Sequence, residues 1–421
     1  MFIVRNAKLR GKDNLVDIVI ENGKFKEIGE NIRGEFKEEI DVNGNLVSPP
    51  FIESHVHLDA TLTVGTPRYN ESGTLLEGIE IWGERKKTLK KEDIKKNALE
   101  TIKWLIANGV LYIRTHADCT EESLITVEAL IEVKEEMKEY VDIQIVAFPQ
   151  DGVFAYKDMD KLMEKSIKMG VDAIGGIPHV EITREDGIKS IEYIFHMAKK
   201  YNKLIDIHTD ETGDDQSRFL EVIAKYTLEN EMNGLVTASH TTAMHNYNND
   251  YASKLIGILK RADINIVSNP SSNALIQNRL DGYPRKRGHT RVDELIQRGV
   301  NVSIGNDDIM DPFAPLGKGN MLQAAHLLAH MAHLSSNEDI LNLFDMITIN
   351  GAKSLNLKDY GIKLGNSANF IVLDAKDERE AIRLTSDVLY VFKNGKMILK
   401  TMPVKRCLII QDKSYNIDFK I

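Results

Sequence analysis

The stretch Pro49-Pro50-Phe51-Ile52-Glu53-Ser54-His55-Val56-His57-Leu58-Asp59 decides the fold, through its two histidines one residue apart. An apolar run leads into it, so it reads as a strand. Side chains on a strand alternate faces with period two, which sends both imidazoles the same way and lets them reach one cation. By itself a His-x-His proves little. Its weight comes from the later apolar runs, several of which also end in His or Asp.

Those runs end near Asp118, Gln150, Pro178, Glu211, His240, Pro270 and Asp308; with the first, near His57, they make eight. They include VLYIRTHAD, DIQIVAFPQ, DAIGGIP, LIDIHTDE, LVTASH, INIVSNP and NVSIGNDD. Between them, Lys91–Asn108, Glu121–Tyr140, Arg184–Tyr201 and Gln216–Glu229 space their apolar residues as helices do. Strands alternating with helices predict an α/β fold, a (β/α)8 TIM-type barrel. Thr61–Leu89 and Ser271–Arg291 lack clear periodicity and come after strand ends, so both read as lids over the barrel mouth.

The chain ends differ from the middle. Residues 2–9 and 15–29 alternate apolar and polar side chains around Asn22-Gly23, and Val388–Leu399 folds back around Asn394-Gly395. Residues 1–49 and 366–421 are expected to form one small composite β-sandwich, leaving 50–365 to the barrel.

Composition sets outer limits. A chain of 421 residues with 42% hydrophobic content suits a large barrel plus a module. A formal charge of -9 argues against a nucleic-acid surface, which needs clustered cations. Cys119 and Cys407 are the only cysteines, so no disulfide framework or Cys-x-x-Cys zinc site is expected. With no signal core or membrane-length apolar run, the expected setting is cytoplasmic, with a small-molecule substrate.

Barrel enzymes carry their chemistry at the C-terminal ends of the strands. There stand His55 and His57, Gln150, His208 with Glu211, His240, and Asp307 with Asp308. Three neutral imidazoles and one carboxylate hold a divalent cation and leave a position for water, whose pKa the cation lowers. His55, His57, His208 and Asp307 are therefore the expected ligands. Glu211, three residues after His208, is placed to move protons, and His240 to polarise the hydroxide. His326, His330 and His333 also share a helical face, but with no carboxylate and with Ala, Leu and Met around them they read as buried or interface residues. His116 and His179 are expected to support or line the pocket. His245 and His289 are left without a role.

With these residues in hand, the chain resembles the amidohydrolase superfamily, and within it is similar to the bacterial cytosine deaminases. The likeness rests on PPFIESHVHLD, SGTLLEGIE, RTHADCTEESL, DIQIVAFPQDG, DIHTDETGDDQSRF, TASHTTAMHNYN, YPRKRGHTRV and GNDDIMDPFAPLG. It implies the same ligands, Glu211 as proton shuttle, and His240, with Asp307, against the attacking hydroxide. It further implies Gln150 reading a pyrimidine carbonyl and ring N–H, Asp308 near the substrate amine, and the backbone around Leu75 closing on the base. One Fe2+ or Zn2+ per subunit is implied, since the fourth strand, Asp172–Pro178, lacks the Lys that bridges paired metals in related barrels. A homo-oligomer, hexameric in many relatives, is implied as well. Three positions depart from the pattern: Phe313 where Trp is usual, Ser271-Ser272 where relatives are more apolar, and Thr209 in place of a Cys.

The expected activity is thus metal-dependent deamination of a free pyrimidine base, cytosine plus water giving uracil plus ammonia. The alternative is a related amidohydrolase acting on another small cyclic amidine, such as isocytosine, creatinine or an aminated triazine. A catalytically inactive barrel used for assembly is disfavoured, because every expected ligand and Glu211 are present.

Overall fold

The computed structural model describes residues 1–420. Eight strands form one parallel sheet in unbroken sequential order: β1 (Phe51–Val56), β2 (Val110–Asp118), β3 (Asp142–Phe148), β4 (Ala173–Gly176), β5 (Leu204–Thr209), β6 (Val236–His240), β7 (Asn265–Ser268) and β8 (Asn301–Ile304). The ring closes between its first and last strands at the suspected ligands themselves. The Asp307 N–H donates to His55 O at 2.8 Å, and the His57 N–H donates to Asp307 O at 2.9 Å. Backbone bonds at the seam thereby fix three of the four suspected metal-binding residues relative to one another.

Most strands stop earlier than the apolar runs suggest. β5 ends at Thr209 rather than Glu211, β7 at Ser268 rather than Pro270, and β8 at Ile304 rather than Asp308. After β5 and β8 the chain turns through Asp210 and Asp307, and at the end of β6 through His240, at positive φ of 48°, 68° and 69°. Non-glycine residues rarely adopt that region, and such strain is held where function needs a side chain re-aimed.

Both expected lids contain helix. Leu75–Lys86 lies inside Thr61–Leu89: Thr74 caps it by accepting from the Glu77 N–H, and Gly78, Ile81 and Trp82 are its buried residues. The second lid begins inside the short helix Pro270–Ile276, whose first turn Pro270 occupies. Periodicity fails as a signal here because each buried face spans too few residues to repeat.

The two chain ends meet in two four-stranded sheets. One runs Lys24–Gly29, Val16–Glu21, Phe2–Ala7, Glu39–Asp41; the other runs Lys396–Lys400, Val388–Lys393, Phe370–Leu373, Leu46–Ser48. Their shared core includes Val4, Ile18, Phe25, Phe370 and Phe392, with the last two rings stacked 4.3 Å apart. The two Asn-Gly turns abut: a Cβ on Gly23 would lie 2.9 Å from Asn394 O, at a φ of +77°. Only glycine fits that approach. Beyond these sheets, Glu378–Leu384 is a helix packed on the barrel's last helices, and Cys407–Ile410 pairs with Lys413–Asn416 as a separate hairpin. Among the described residues no helix is long and apolar enough to cross a membrane.

Candidate active site

The structure brings His55, His57, His208 and Asp307 together at the barrel's C-terminal end, with one donor atom from each lying within 4.8 Å of the others. His57 Nε2 faces His208 Nε2 at 3.1 Å, and Asp307 Oδ1 lies 3.2 Å from His55 Nε2 and 3.4 Å from His57 Nε2. Yet His55 Nε2 is buried without a hydrogen bond. It and Asp307 Oδ1 are close without being aligned on each other, as donors sharing a central cation would be. Three imidazoles and one carboxylate are also the donor chemistry a divalent cation takes. The residues fit a metal.

Their protonation is set by burial. Burial, then His116, brings His55 down to about 4. His208 is driven well below its ordinary value by burial and by His55 and His240. For His57 burial is outweighed by Asp307, so its pKa rises. Burial would raise Asp307, but His240, His55 and His57 outweigh it and hold it well below the carboxylate range. An ionised acid among imidazoles mostly kept neutral is the state that accepts a cation.

A chain of contacts runs from His55 into the core. Ser239 Oγ donates to Asp206 Oδ1 at 2.7 Å and so accepts from His55 Nδ1 at 3.0 Å. That fixes the tautomer and leaves Nε2 its lone pair. Asp206 Oδ2 in turn accepts from Arg114 Nη1 at 3.0 Å. The buried Arg114 also donates to Gln144 Oε1 at 2.8 Å, Thr237 Oγ1 at 3.1 Å and Ser354 O at 2.9 Å. Arg114→Met should therefore cost about 3–5 kcal/mol, because Asp206 is left charged and unpaired inside the barrel. Equilibrium urea unfolding measures the loss, and a change below about 1 kcal/mol would contradict it.

Above the cluster lies a small cavity of about 30 Å³, lined by His57, Leu75, Gln150, His208, Glu211, Asp307, Asp308 and Phe313, with apolar walls from Ile79, Ile177, Val180 and Ile276. A Cβ on Gly78 would fall 2.5 Å from Phe313 Cδ1, so the Phe313 ring seats directly on the lid helix. Ser272 Oγ donates to Asp308 Oδ2, which accounts for a polar residue at that departure. Burial, then Asp307 and Asp311, raises Asp308 well above the usual range. Thr209 spends its hydroxyl on Ile207 O at 2.9 Å.

Glu211 Oε1 lies 3.3 Å from His240 Nδ1, and His240 Nδ1 lies 3.8 Å from Asp307 Oδ2. Burial, then Asp307, raises Glu211 well above its ordinary pKa, so it keeps a proton to give. Burial brings His240 down to about 3.

The sequence reading missed three amides that hold this pair. Asn273 Nδ2 donates to Glu211 Oε1 at 3.0 Å and lies 3.2 Å from His240 Nδ1. Asn269 Nδ2 lies 3.3 Å from His240 Nδ1, and Gln277 Nε2 lies 3.4 Å from Glu211 Oε1. Their spacing of i, i+4, i+8 across Asn269-Pro270 to Gln277 is the signal that could have found them.

The other histidines fall elsewhere. His116 lies tilted against His55 with centroids 4.0 Å apart, and neither of its ring nitrogens has a hydrogen bond. His179, in the turn Pro178–Val180, likewise has both ring nitrogens buried and unbonded. His326 donates from Nδ1 to Ile382 O at 3.1 Å, whereas His330 and His333 are exposed.

Comparison with known proteins identifies the family. The amidohydrolase family profile matches residues 38–399. N-isopropylammelide isopropyl amidohydrolase of Pseudomonas sp. (strain ADP) is 32% identical over 409 residues, covering 94% of this chain and 97% of that protein. The pterin deaminase of Rhizobium rhizogenes is 27% identical, covering 92% and 88%. The structure of 5-methylcytosine deaminase from Klebsiella pneumoniae liganded with 5-fluorocytosine superposes with a TM-score of 0.93 at 42% identity, covering 96% of this chain and 98% of that one. Members of the family are metal-dependent, and the His55, His57, His208 and Asp307 cluster is this chain's candidate for that metal. The chain belongs to the amidohydrolase family and is a hydrolase acting on carbon–nitrogen bonds.

Proposed function

We propose that the chain hydrolyses the exocyclic amine of a free aminopyrimidine, cytosine or 5-methylcytosine, releasing ammonia and leaving the 4-oxo base. The observation that carries this reading is the shared lining of one cavity. Gln150 and Asp308 can recognise a polar ring there, beside Glu211 and the four-residue cluster. The likeness to a 5-methylcytosine deaminase at 42% identity supports it.

His55, His57, His208 and Asp307 would hold one divalent ion, iron or zinc, which would supply the acidity that turns water into a nucleophile for an electron-poor ring carbon. The chain's own residues do the rest. The Gln150 amide has both a donor and an acceptor, so it can pair with a carbonyl and the adjacent ring N–H together. Glu211 gives its proton to the ring nitrogen beside the amine, which makes the neighbouring carbon more electrophilic. It then takes one proton of the attacking water and passes it to the leaving amine, and takes up the remaining hydroxyl proton as the carbonyl forms, which restores its acid form. His240 steadies the incoming oxygen, and Asn273 holds Glu211 in reach of both atoms. Leu75 and Phe313 close over the ring and limit access of bulk water.

Phe313 is smaller than Trp and leaves room for a ring substituent. Phe313→Trp should lower kcat/KM for 5-methylcytosine relative to cytosine by roughly 10–200-fold, the worth of one methyl in a fitted pocket. An unchanged ratio would remove Phe313 from substrate choice.

The 32% identity to an isopropylammelide hydrolase favours a second reading, an aminated triazine as substrate. Metal-loaded protein given cytosine, 5-methylcytosine and N-isopropylammelide separates the two. Ammonia release from the pyrimidines supports the first; isopropylamine release alone supports the second.

A further inference from the structure

A second cavity of about 540 Å³ lies outside the barrel mouth, between the 278–291 segment and the end of the helix Met321–Met331. Its lining includes Arg285, Lys286, Arg287 and Arg291 together with His245 and His289. The carboxylates on the wall are Asp293 and Glu294, and Glu294 is already held by Arg291 at 2.9 Å. Among the described residues no carboxylate lies within salt-bridge distance of Arg285, Lys286 or Arg287, although the chain carries an excess of acid, with a net charge of -9. Three successive cations thus share one wall with no carboxylate partner of their own.

The inner wall is built rather than incidental. Arg287 donates from Nη1 to Met331 O at 2.7 Å and His330 O at 3.2 Å, tying the segment to the helix end. His289 sets Nδ1 2.6 Å from Thr290 O and Nε2 2.8 Å from Met331 O. The His245 and His289 rings lie 5.6 Å apart. Burial, then His289, Arg291, Lys286 and Arg287, lowers the His245 pKa.

From this cavity and its unneutralised cations we propose a binding site for a phosphate monoester. Guanidinium and ammonium groups suit the phosphate oxygens. The cavity is far larger than a bare phosphate and admits a ligand-sized ester. The site does not depend on the deaminase reading. Its segment follows directly on Gln277, whose amide approaches Glu211.

Isothermal titration of the metal-loaded protein with uridine 5′-monophosphate, inorganic phosphate and uridine tests the proposal. Saturable binding of the monophosphate is expected, with none of comparable strength for uridine. It should weaken at least about tenfold in the Arg285→Ala/Lys286→Ala double variant, the loss expected for two charged contacts. Both side chains are exposed, so the variant should fold as the parent does. Equal affinity for inorganic phosphate would keep the site and name free phosphate as its occupant. Monophosphate binding that is absent up to ~10 mM, or unchanged in the double variant, would overturn it.

Discussion

Glu211→Gln should lose roughly 10²–10⁴ of turnover while keeping its metal, because the substitution removes proton transfer and little else. Glu211 is not among the four converging donors, and its contacts are to Asn273, Gln277 and His240. A Gln there can still meet the Asn273 amide through its carbonyl oxygen, so the ladder that orients it survives. What it cannot do is carry a proton from water to a ring nitrogen and then to the amine. Steady-state ammonia release gives the rate, and elemental analysis gives the metal. A variant that retains near-parental turnover would show that some other group moves the protons. A variant that loses activity and metal together would move Glu211 into the metal shell.

The second large effect is expected at Asp307. Asp307→Asn keeps the shape and the backbone bonds at the barrel seam but removes the one negative charge among the four donors. A cation in a buried site with three neutral imidazoles has no local charge compensation. The loss of metal affinity should exceed the roughly 10–100-fold typical of losing an outer hydrogen-bond partner. Purified Asp307→Asn should therefore carry little metal and show little activity, while Ser239→Ala, which frees His55 Nδ1 and takes one hydrogen bond from Asp206, should fall between it and the parent. Metal content measured after dialysis against a weak chelator ranks the three. Equal retention in all three would contradict the assignment of Asp307 as a ligand.

Much of the barrel and its suspected ligands could be read from the sequence, for a physical reason. Strand alternation and the placement of chemistry at strand ends are both periodic rules, and His55, His57, His208, His240 and Asp307 obey them. The two-ended sandwich was legible because Asn22-Gly23 and Asn394-Gly395 each mark a turn between alternating runs. What escaped lacks such a period. The lid helix Leu75–Lys86 buries only Gly78, Ile81 and Trp82, too little for a repeating face. The Arg114, Asp206 and Ser239 chain joins strands β2, β5 and β6, so its members are neighbours only after the ring closes. Arg114 in particular looks like an ordinary polar break in an apolar run until its four partners are in place. The exact strand ends were missed for another reason. The turns at Asp210 and Asp307 rest on positive φ at residues that do not advertise it as glycine does.

The most direct test of the account is ammonia release from cytosine and 5-methylcytosine by protein of known metal content, before chelation, after it, and after metal is restored. The account predicts release in proportion to bound metal, lost on chelation and regained on reconstitution. Metal-replete protein that releases no ammonia from either base, or stripped protein that works as fast as the loaded form, would contradict it.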